Sequence, residues 1–179
     1  DQRLSRGLGD VYKRQERLRA LSSVGPLIVL PNHQTNLDSP TIGYGIDLLG
    51  LPAMTYGAGI NLFTLPWLSK KMNQLGAYKV DRRKKNSIYL EVLKSYSSVC
   101  LARGVHSLFF PEGTRSRSGT LINKLKLGLL GTAVQTQKDY VLDEGKKNKP
   151  VIIVPVSINY SFTLEAESLI CLLYTSDAA

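Results

Sequence analysis

The sequence predicts an α/β protein, with a central, mostly parallel sheet flanked by helices in a single domain. Short segments rich in Val, Ile and Leu alternate with longer segments in which apolar residues recur every three or four positions. Polar motifs follow directly after several of the short segments, as in α/β proteins whose functional groups lie at the carboxyl ends of strands. The 179 residues can bury a sizeable core, and a hydrophobic content of 43% is ordinary for a globular chain.

The first half of the chain contains three predicted strands and two predicted helices. Its first strand, Leu27–Leu30, is an uninterrupted apolar run that Pro31 ends, because proline cannot donate a hydrogen bond to a sheet. Glycine and proline mark turns between the following segments. The other elements are helix Ser39–Leu49, strand Ala53–Tyr56, helix Asn61–Gln74 and strand Ala77–Val80.

The second half begins with a predicted helix over Ser87–Arg103. Its apolar residues recur at three- and four-residue intervals, which predicts one buried stripe that includes Cys100. The stripe consists of Ile88, Val92, Leu93, Tyr96, Val99 and Cys100. The remaining elements are strand Ser107–Phe110, helix Asn123–Gln137, an exposed loop over Lys138–Pro150 and strand Val151–Val156.

Both ends of the chain have no amphipathic period and resemble translated adapter or assembly remnants. We therefore expect residues 1–15 and 171–179 to be non-native flanks around a domain at 16–170. One of the two cysteines lies in the second flank, so no disulfide framework is predicted. No spacing indicates a metal site, and His106, which has no nearby carboxylate in sequence, is expected to be structural or exposed.

A histidine and a carboxylate lie five residues apart directly after the first strand. The stretch Asn32–Asp38 places His33 at the end of the strand and Asp38 near the start of the next helix. A neutral imidazole held by a carboxylate can take a proton from an alcohol. The same residues also fit a helix-capping aspartate and a hydrogen-bonded structural histidine, so the pair alone leaves both interpretations open.

A second motif follows the strand that ends at Phe110. The loop Phe109–Gly119 contains glycines that allow close approach to the backbone, together with Arg115 and Arg117, whose planar side chains suit phosphate. Such a loop is typical of an anion-binding site. A solvated basic turn is the alternative.

Together the two motifs make the chain resemble the glycerophospholipid acyltransferases, the family of glycerol-3-phosphate and 1-acyl-glycerol-3-phosphate (lysophosphatidate) O-acyltransferases. Four blocks resemble the family in order and spacing, and the first and third of them are specific. The blocks are Asn32–Asp38, Gly76–Arg82, Phe110–Ser116 and Val154–Ser157. The resemblance spans about Pro26 to Ile170 and implies the fold of a glycerol-3-phosphate acyltransferase. Since family members usually extend further at both ends, it also implies that this chain is a fragment.

The resemblance implies an enzyme that moves a fatty acyl group from a thioester donor to the hydroxyl of glycerol-3-phosphate, or a related glycerol phosphate, in phospholipid synthesis. His33 is then the general base, while Asp38 fixes its tautomer and stabilises the imidazolium. No acyl-enzyme, metal or cofactor is implied, and acyl-CoA or acyl-carrier-protein is the co-substrate. Glu112 is implied to shape the acceptor loop through hydrogen bonds. The residues implied to bind the acceptor are Arg82, Glu112, Gly113, Thr114, Arg115 and Lys126.

The sequence features that bear on the acceptor point in two directions. Ile158–Tyr160 and the Arg-Ser-Arg-Ser-Gly run resemble the glycerol-3-phosphate branch, whereas Asp81 followed by Arg82 resembles the lysophosphatidate branch. We expect glycerol-3-phosphate and keep lysophosphatidate as the alternative. A non-catalytic lipid-binding module of the same fold is an alternative of another class, which the intact His33 and Asp38 disfavour.

A net formal charge of +9 predicts anionic partners, namely nucleic acid, phosphorylated substrates or a membrane surface. No nucleic-acid recognition motif is present, so nucleic acid is disfavoured. The Ile60–Lys71 segment sets large apolar side chains beside lysines, and Arg82–Lys85 adds a basic run, a combination typical of interfacial binding. We therefore expect binding at the cytoplasmic face of a membrane, either peripheral or through an anchor outside this fragment. The alternative is that Phe63, Trp67 and Leu68 belong to the core.

Overall fold

The computed structural model describes residues 15–35, 37–116, 125–143, 145 and 149–160, and the fold is described for these residues. The strands are β1 (Leu27–Pro31), β2 (Thr55–Gly59), β3 (Ala77–Val80), β4 (Ser107–Leu108) and β5 (Ile152–Val156). They form one sheet in the spatial order β3, β2, β4, β1, β5. Every neighbouring pair is parallel, so the predicted α/β class and parallel sheet are confirmed.

Helices lie between the strands in sequence. They are α1 (residues 15–24), α2 (Asp38–Leu48), α3 (Pro66–Gln74), α4 (Ser87–Ala102) and α5 (Gly128–Leu142), with a 3₁₀ turn at Ile60–Phe63. The sequence analysis predicts no helix over α1. This helix reaches the core through Leu18 and Leu21, among mostly charged or small residues, so its apolar period is too short to stand out.

Several boundaries differ from the prediction. The predicted helix Asn61–Gln74 is a 3₁₀ turn followed by α3, because Pro66 has no N–H to donate and therefore suits the first turn of a new helix. The helix predicted at Asn123–Gln137 begins and ends later, as α5, so the start of the predicted loop Lys138–Pro150 is helical. The first two residues of that prediction lie outside the described part of the chain. β2 also lies later than predicted, and β4 ends earlier.

Alternate residues of β1 face opposite sides of the sheet and organise two cores. Leu27 and Val29 pack on one side with Ile46 of α2, where α1 also contributes. Ile28 packs on the other side with Leu101 of α4 and with α5. Because helices cover both faces, β1 reads in the sequence as a continuous apolar run rather than an alternating one.

The buried stripe predicted on α4 is wrong in its register. Ile88 is 72% exposed and Val92 is 59% exposed, while the helix buries Ser97 and Leu101. Cys100 is half-buried rather than fully in the core. Apolar residues occupy most of the circumference of α4, so the helical period fits two adjacent stripes equally well. The face that packs includes a small hydroxyl residue, Ser97, whose Oγ lies 3.1 Å from a threonine hydroxyl of α5.

His106 ties the segment before β4 to β1. Its side chain is 6% exposed, and its Nδ1 accepts a hydrogen bond from the N–H of Leu27 at 3.0 Å. Nε2 therefore carries the ring proton. Burial lowers the pKa of His106, because desolvation disfavours the imidazolium. The interpretation of His106 as a structural histidine is confirmed.

All five strands end at the same side of the sheet, which we call the carboxyl edge. β1 lies between β4 and β5, so the segments that follow these three strands meet at the carboxyl edge. The segment after β1 carries His33, the loop after β4 contains Glu112 and Arg115, and the segment after β5 runs to Tyr160. The sheet order thus brings together side chains that are far apart in sequence.

Candidate active site

His33 and Asp38 form a hydrogen-bonded pair at the end of β1. Nδ1 of the imidazole lies 2.8 Å from Oδ2 of the carboxylate. Because a carboxylate only accepts hydrogen bonds, Nδ1 carries the ring proton and Nε2 keeps its lone pair. Within the described part of the chain nothing is hydrogen-bonded to Nε2, and the His33 side chain is 17% exposed. The pair therefore has the arrangement of a general base and its orienting carboxylate.

Asp38 is fully buried and accepts hydrogen bonds from four described groups. Oδ2 accepts from Nδ1 of His33 and from the backbone N–H groups of Gln34 at 2.7 Å and Thr35 at 2.9 Å. Oδ1 accepts from the hydroxyl of Tyr160 at 2.8 Å. Asp38 is also the first residue of α2, where the helix dipole favours a negative charge. These donors compensate for the loss of water around the carboxylate.

The loop after β4 holds His33 from a second direction. The ring stacks on Phe110 with a centroid separation of 4.1 Å and an interplanar angle of 24°. The N–H of Ser116 donates to the backbone carbonyl of His33 at 2.8 Å. The ring and the backbone of His33 are therefore both fixed, which is what a positioned base requires.

Gly113 and Lys126, two of the predicted acceptor residues, lie against each other. Gly113 has a φ of +70° and donates its N–H to Phe110 at 3.0 Å. The positive φ favours glycine, and a β-carbon added at Gly113 would lie 2.5 Å from Cδ of Lys126, so the lysine side chain would have to move. The N–H of Lys126 donates to the carbonyl of Pro111 at 2.7 Å, which anchors the lysine to the loop.

Three other residues predicted to bind the acceptor, Glu112, Thr114 and Arg115, lie in the same loop as Gly113. Glu112 is 8% exposed, and no described group donates a hydrogen bond to its Oε2. Its implied role in shaping the loop through hydrogen bonds therefore stays a prediction. Thr114 is exposed, and Arg115 is half-buried next to the serine that binds His33. Arg117 lies outside the described residues.

Arg82 lies at the carboxyl edge but has no hydrogen bond or ion pair with any described residue. It follows β3, and β2 separates β3 from β4, so about 10 Å of strand spacing lies between Arg82 and the acceptor loop. Asp81 binds Arg83 instead, with Nε of the arginine 3.0 Å from Oδ1. Hydrogen bonds from Arg83 lower the pKa of the Asp81 carboxyl. The structure does not bring Arg82 into direct contact with the other predicted residues.

Asn32 and Tyr160 have structural roles at the site that the sequence analysis does not assign. The Asn32 side chain makes two hydrogen bonds with the backbone of Ile158, Nδ2 to the carbonyl at 3.0 Å and Oδ1 from the N–H at 2.6 Å. Burial, together with the neighbouring Asp38, raises the pKa of the Tyr160 phenol, so it is a donor at neutral pH. The position of Tyr160 just after the fourth block could have indicated that it belongs to the site. Its contact with Asp38, however, depends on β5 pairing with β1.

Neither a metal site nor a membrane-spanning helix is found among the residues that the structure describes. These residues contain no group of three or more histidine, cysteine or acidic side chains placed to hold a metal ion. No helix among them is both long and apolar enough to cross a bilayer.

The geometry defines an α/β protein with a histidine–carboxylate pair beside a glycine-containing, cationic loop at the carboxyl edge of a parallel sheet. A sequence model of the acyltransferase family matches residues 11–159. The chain therefore belongs to the acyltransferase family.

Glycerol-3-phosphate acyltransferases from Alteromonas mediterranea and Baumannia cicadellinicola are 34% and 33% identical to this chain over 155 and 162 residues. The matches cover 86% and 89% of this chain, but 18% and 19% of the relatives, so the chain spans about a fifth of their length. The crystal structure of the 1-acyl-sn-glycerophosphate acyltransferase PlsC from Thermotoga maritima is 21% identical, with a TM-score of 0.47. That match covers 98% of this chain and 79% of the PlsC chain.

The contact between Gly113 and Lys126 predicts an asymmetric response to alanine. Gly113→Ala should destabilise the fold by about 1–2 kcal/mol, because alanine disfavours a positive φ and its β-carbon meets the lysine. Gly131→Ala in α5 is the matched control, since an added β-carbon there meets nothing within 4 Å. It should stabilise the protein by roughly 0.5–1 kcal/mol. Urea unfolding of both variants checks the prediction, and equal shifts in the same direction would contradict it.

Proposed function

We propose that this chain is the catalytic part of an O-acyltransferase that moves a fatty acyl group from a thioester to the hydroxyl of glycerol-3-phosphate or a related glycerol phosphate. The observation that carries the proposal is the 2.8 Å contact between His33 and the buried Asp38, with nothing hydrogen-bonded to Nε2 among the described residues. Membership of the acyltransferase family and the names of the similar proteins support it.

In the proposed reaction, Nε2 of His33 takes the proton of the acceptor hydroxyl while the oxygen attacks the thioester carbonyl carbon. Asp38 holds the Nδ1–H and stabilises the imidazolium that forms. The tetrahedral intermediate then collapses, the carbon–sulfur bond breaks, and the imidazolium returns its proton to the leaving thiolate. The acyl group passes directly to the acceptor without an acyl-enzyme, and no metal takes part.

The acceptor site is proposed to be the loop after β4. Its glycine, Gly113, brings the backbone and the side chain of Lys126 together, and Arg115 adds a planar cation suited to a phosphate. The buried Oε2 of Glu112, which no described residue contacts through a hydrogen bond, can accept one from a hydroxyl of the acceptor. Arg82 can join this site only if its long side chain reaches across the carboxyl edge.

Two acceptors and two donors fit the proposal. The names of the similar glycerol-3-phosphate acyltransferases favour that acceptor, and lysophosphatidate is the alternative because Asp81 and Arg82 resemble its branch. The thioester donor is acyl-CoA or acyl-carrier-protein. Both acceptors present a phosphate and a hydroxyl to the same chemistry, so a direct comparison of turnover distinguishes them.

We also propose that the Ile60–Lys71 segment binds the cytoplasmic surface of an anionic membrane. Trp67 is 68% exposed, which contradicts the interpretation that it belongs to the core, whereas Phe63 is buried and Leu68 is half-buried. The large apolar side chains exposed in this segment are Ile60, Leu62, Leu65 and Trp67. The segment follows β2 at the carboxyl edge, which is also the edge where His33 lies. An acyl chain can therefore enter the proposed active site from the bilayer.

The basic residues beside this segment do not contribute equally to the proposed membrane surface. Lys70 and Lys71 are exposed and directly follow the apolar residues. In the run Arg82–Lys85, Arg83 is paired with Asp81, which cancels part of the positive field. The lysines of α3 are therefore the first choice for charge reversal.

His33→Ala should lower acyl transfer by roughly 10²–10⁴-fold, because the base is removed. Purified protein is assayed with glycerol-3-phosphate and with lysophosphatidate, each against acyl-CoA and acyl-carrier-protein donors. The variant, prepared in parallel, also measures contaminating host activity. Circular dichroism establishes that it is folded. If a folded His33→Ala protein keeps more than a few per cent of the wild-type rate, His33 is not the base.

Vesicle binding should separate into a charge-dependent and an apolar part. Lys70→Glu with Lys71→Glu should remove the salt-sensitive part of binding to anionic vesicles, about 1 kcal/mol for each lost positive charge. Trp67→Ser should weaken the salt-insensitive part while leaving turnover of a water-soluble short-chain donor unchanged. Co-sedimentation at low and high salt is the measurement.

Val134→Ser is the matched control for this experiment, since Val134 of α5 is also 68% exposed but lies outside the proposed membrane surface. It should sediment with vesicles like the wild type. Equal losses for Val134→Ser and Trp67→Ser would show that exposed apolar residues bind lipid regardless of position, and would remove the Ile60–Lys71 segment from the proposal.

A further inference from the structure

The segments after β1 and β5 meet at one side chain, Asp38. Its Oδ2 binds His33, and its Oδ1 accepts a hydrogen bond from the Tyr160 hydroxyl at 2.8 Å. We propose that Tyr160 is a positioning residue, which acts through Asp38 on the orientation and basicity of the His33 ring. This inference rests on the proposed function of His33 as the general base.

Asn32 explains how Tyr160 reaches the carboxylate. β5 pairs with β1 up to Val156, and beyond the sheet the Asn32 side chain continues the pairing through two hydrogen bonds to Ile158. Tyr160 is two residues further along this fixed segment, and its hydroxyl also lies 3.4 Å from Oγ1 of Thr41 on α2. The residue directly before the base thus anchors the segment that carries the tyrosine.

The phenol should lower the basicity of His33. A donor on Oδ1 stabilises the carboxylate charge and so reduces the attraction that Asp38 exerts on the Nδ1–H. Loss of the donor should strengthen the Asp38–imidazolium interaction and raise the pKa of His33. A stronger hydrogen-bond donor at position 160 should lower the pKa of His33. If Tyr160 only fills space, neither replacement should change this pKa.

Among the described residues, the ionisable side chains that His33, Asp38 and Tyr160 bind through hydrogen bonds or ion pairs are those of the three themselves. In the described part of the neighbouring loop after β4, the charged residues are Glu112 and Arg115. The other described partners of His33, Asp38 and Tyr160 are uncharged, namely Thr41, the ring of Phe110 and the backbone N–H groups of Gln34, Thr35 and Ser116.

The experiment uses two replacements of Tyr160 with opposite effects on the donor. Tyr160→Phe deletes the hydroxyl, and 3-fluorotyrosine at position 160 keeps the shape but makes the phenol more acidic and a stronger donor. Tyr44→Phe is the control, because Tyr44 lies on α2 with 66% of its surface exposed. The measurements are the pKa of His33 by NMR, the pH profile of kcat/KM and the KM for the acceptor.

We expect Tyr160→Phe to raise the NMR pKa of His33 and the acid limb of kcat/KM together, by roughly half a pH unit. It should lower kcat roughly three- to tenfold while the acceptor KM stays unchanged. Fluorotyrosine should shift the pKa of His33 downward, and Tyr44→Phe should change nothing. If the folded Tyr160 variants leave the pKa of His33 unmoved, or both shift it in the same direction, Tyr160 is only structural.

The two proposals can fail separately in this experiment. An inactive wild-type protein contradicts the proposed function, yet the NMR titration still decides whether Tyr160 acts on His33. Should Tyr160→Phe fail to fold, the fluorotyrosine protein, which preserves every contact, decides the sign of the coupling.

Discussion

The buried carboxylate of Asp38 is the interaction on which the rest of the site depends. A fully buried charge is costly unless donors surround it, and Asp38 has four. Two donors come from the turn after β1, one from the His33 ring and one from the segment after β5. Satisfying this one side chain therefore fixes the turn, the start of α2, the tautomer of His33 and the position of Tyr160.

The order of strands in the sheet also determines which side chains meet at this site. His33 follows β1, and its ring lies between the Asp38 carboxylate on one side and Phe110 after β4 on the other. Because β4 and β5 flank β1, they supply the stacking ring and the tyrosine to the same place. The apolar residues of β1, buried on both faces, support the sheet at this point. The packing of the core and the geometry of the site thus depend on the same three strands, β1, β4 and β5.

Local features of the fold and of the site could be predicted from the sequence. Alternation of strands and helices predicts the parallel sheet, and the short spacing between His33 and Asp38 is enough to bring them into contact across one turn. Long-range features could not be predicted. The contact of Tyr160 depends on β5 pairing with β1, and the buried face of α4 depends on how this helix packs on α5, neither of which a local pattern contains. The exposure of Trp67 likewise depends on where α3 packs.

The tautomer of His33 tests the central claim most directly, and nitrogen-15 NMR of the imidazole rings measures it. The chain has two histidines, and the structure gives them opposite tautomers. His33 should carry its proton on Nδ1, because Asp38 accepts there, while His106 should carry its proton on Nε2, because its Nδ1 accepts from Leu27. When both rings are in their neutral form, one tautomer of each kind is the predicted spectrum. If the neutral ring of His33 is instead protonated on Nε2, Asp38 does not orient it, and the proposed base is absent.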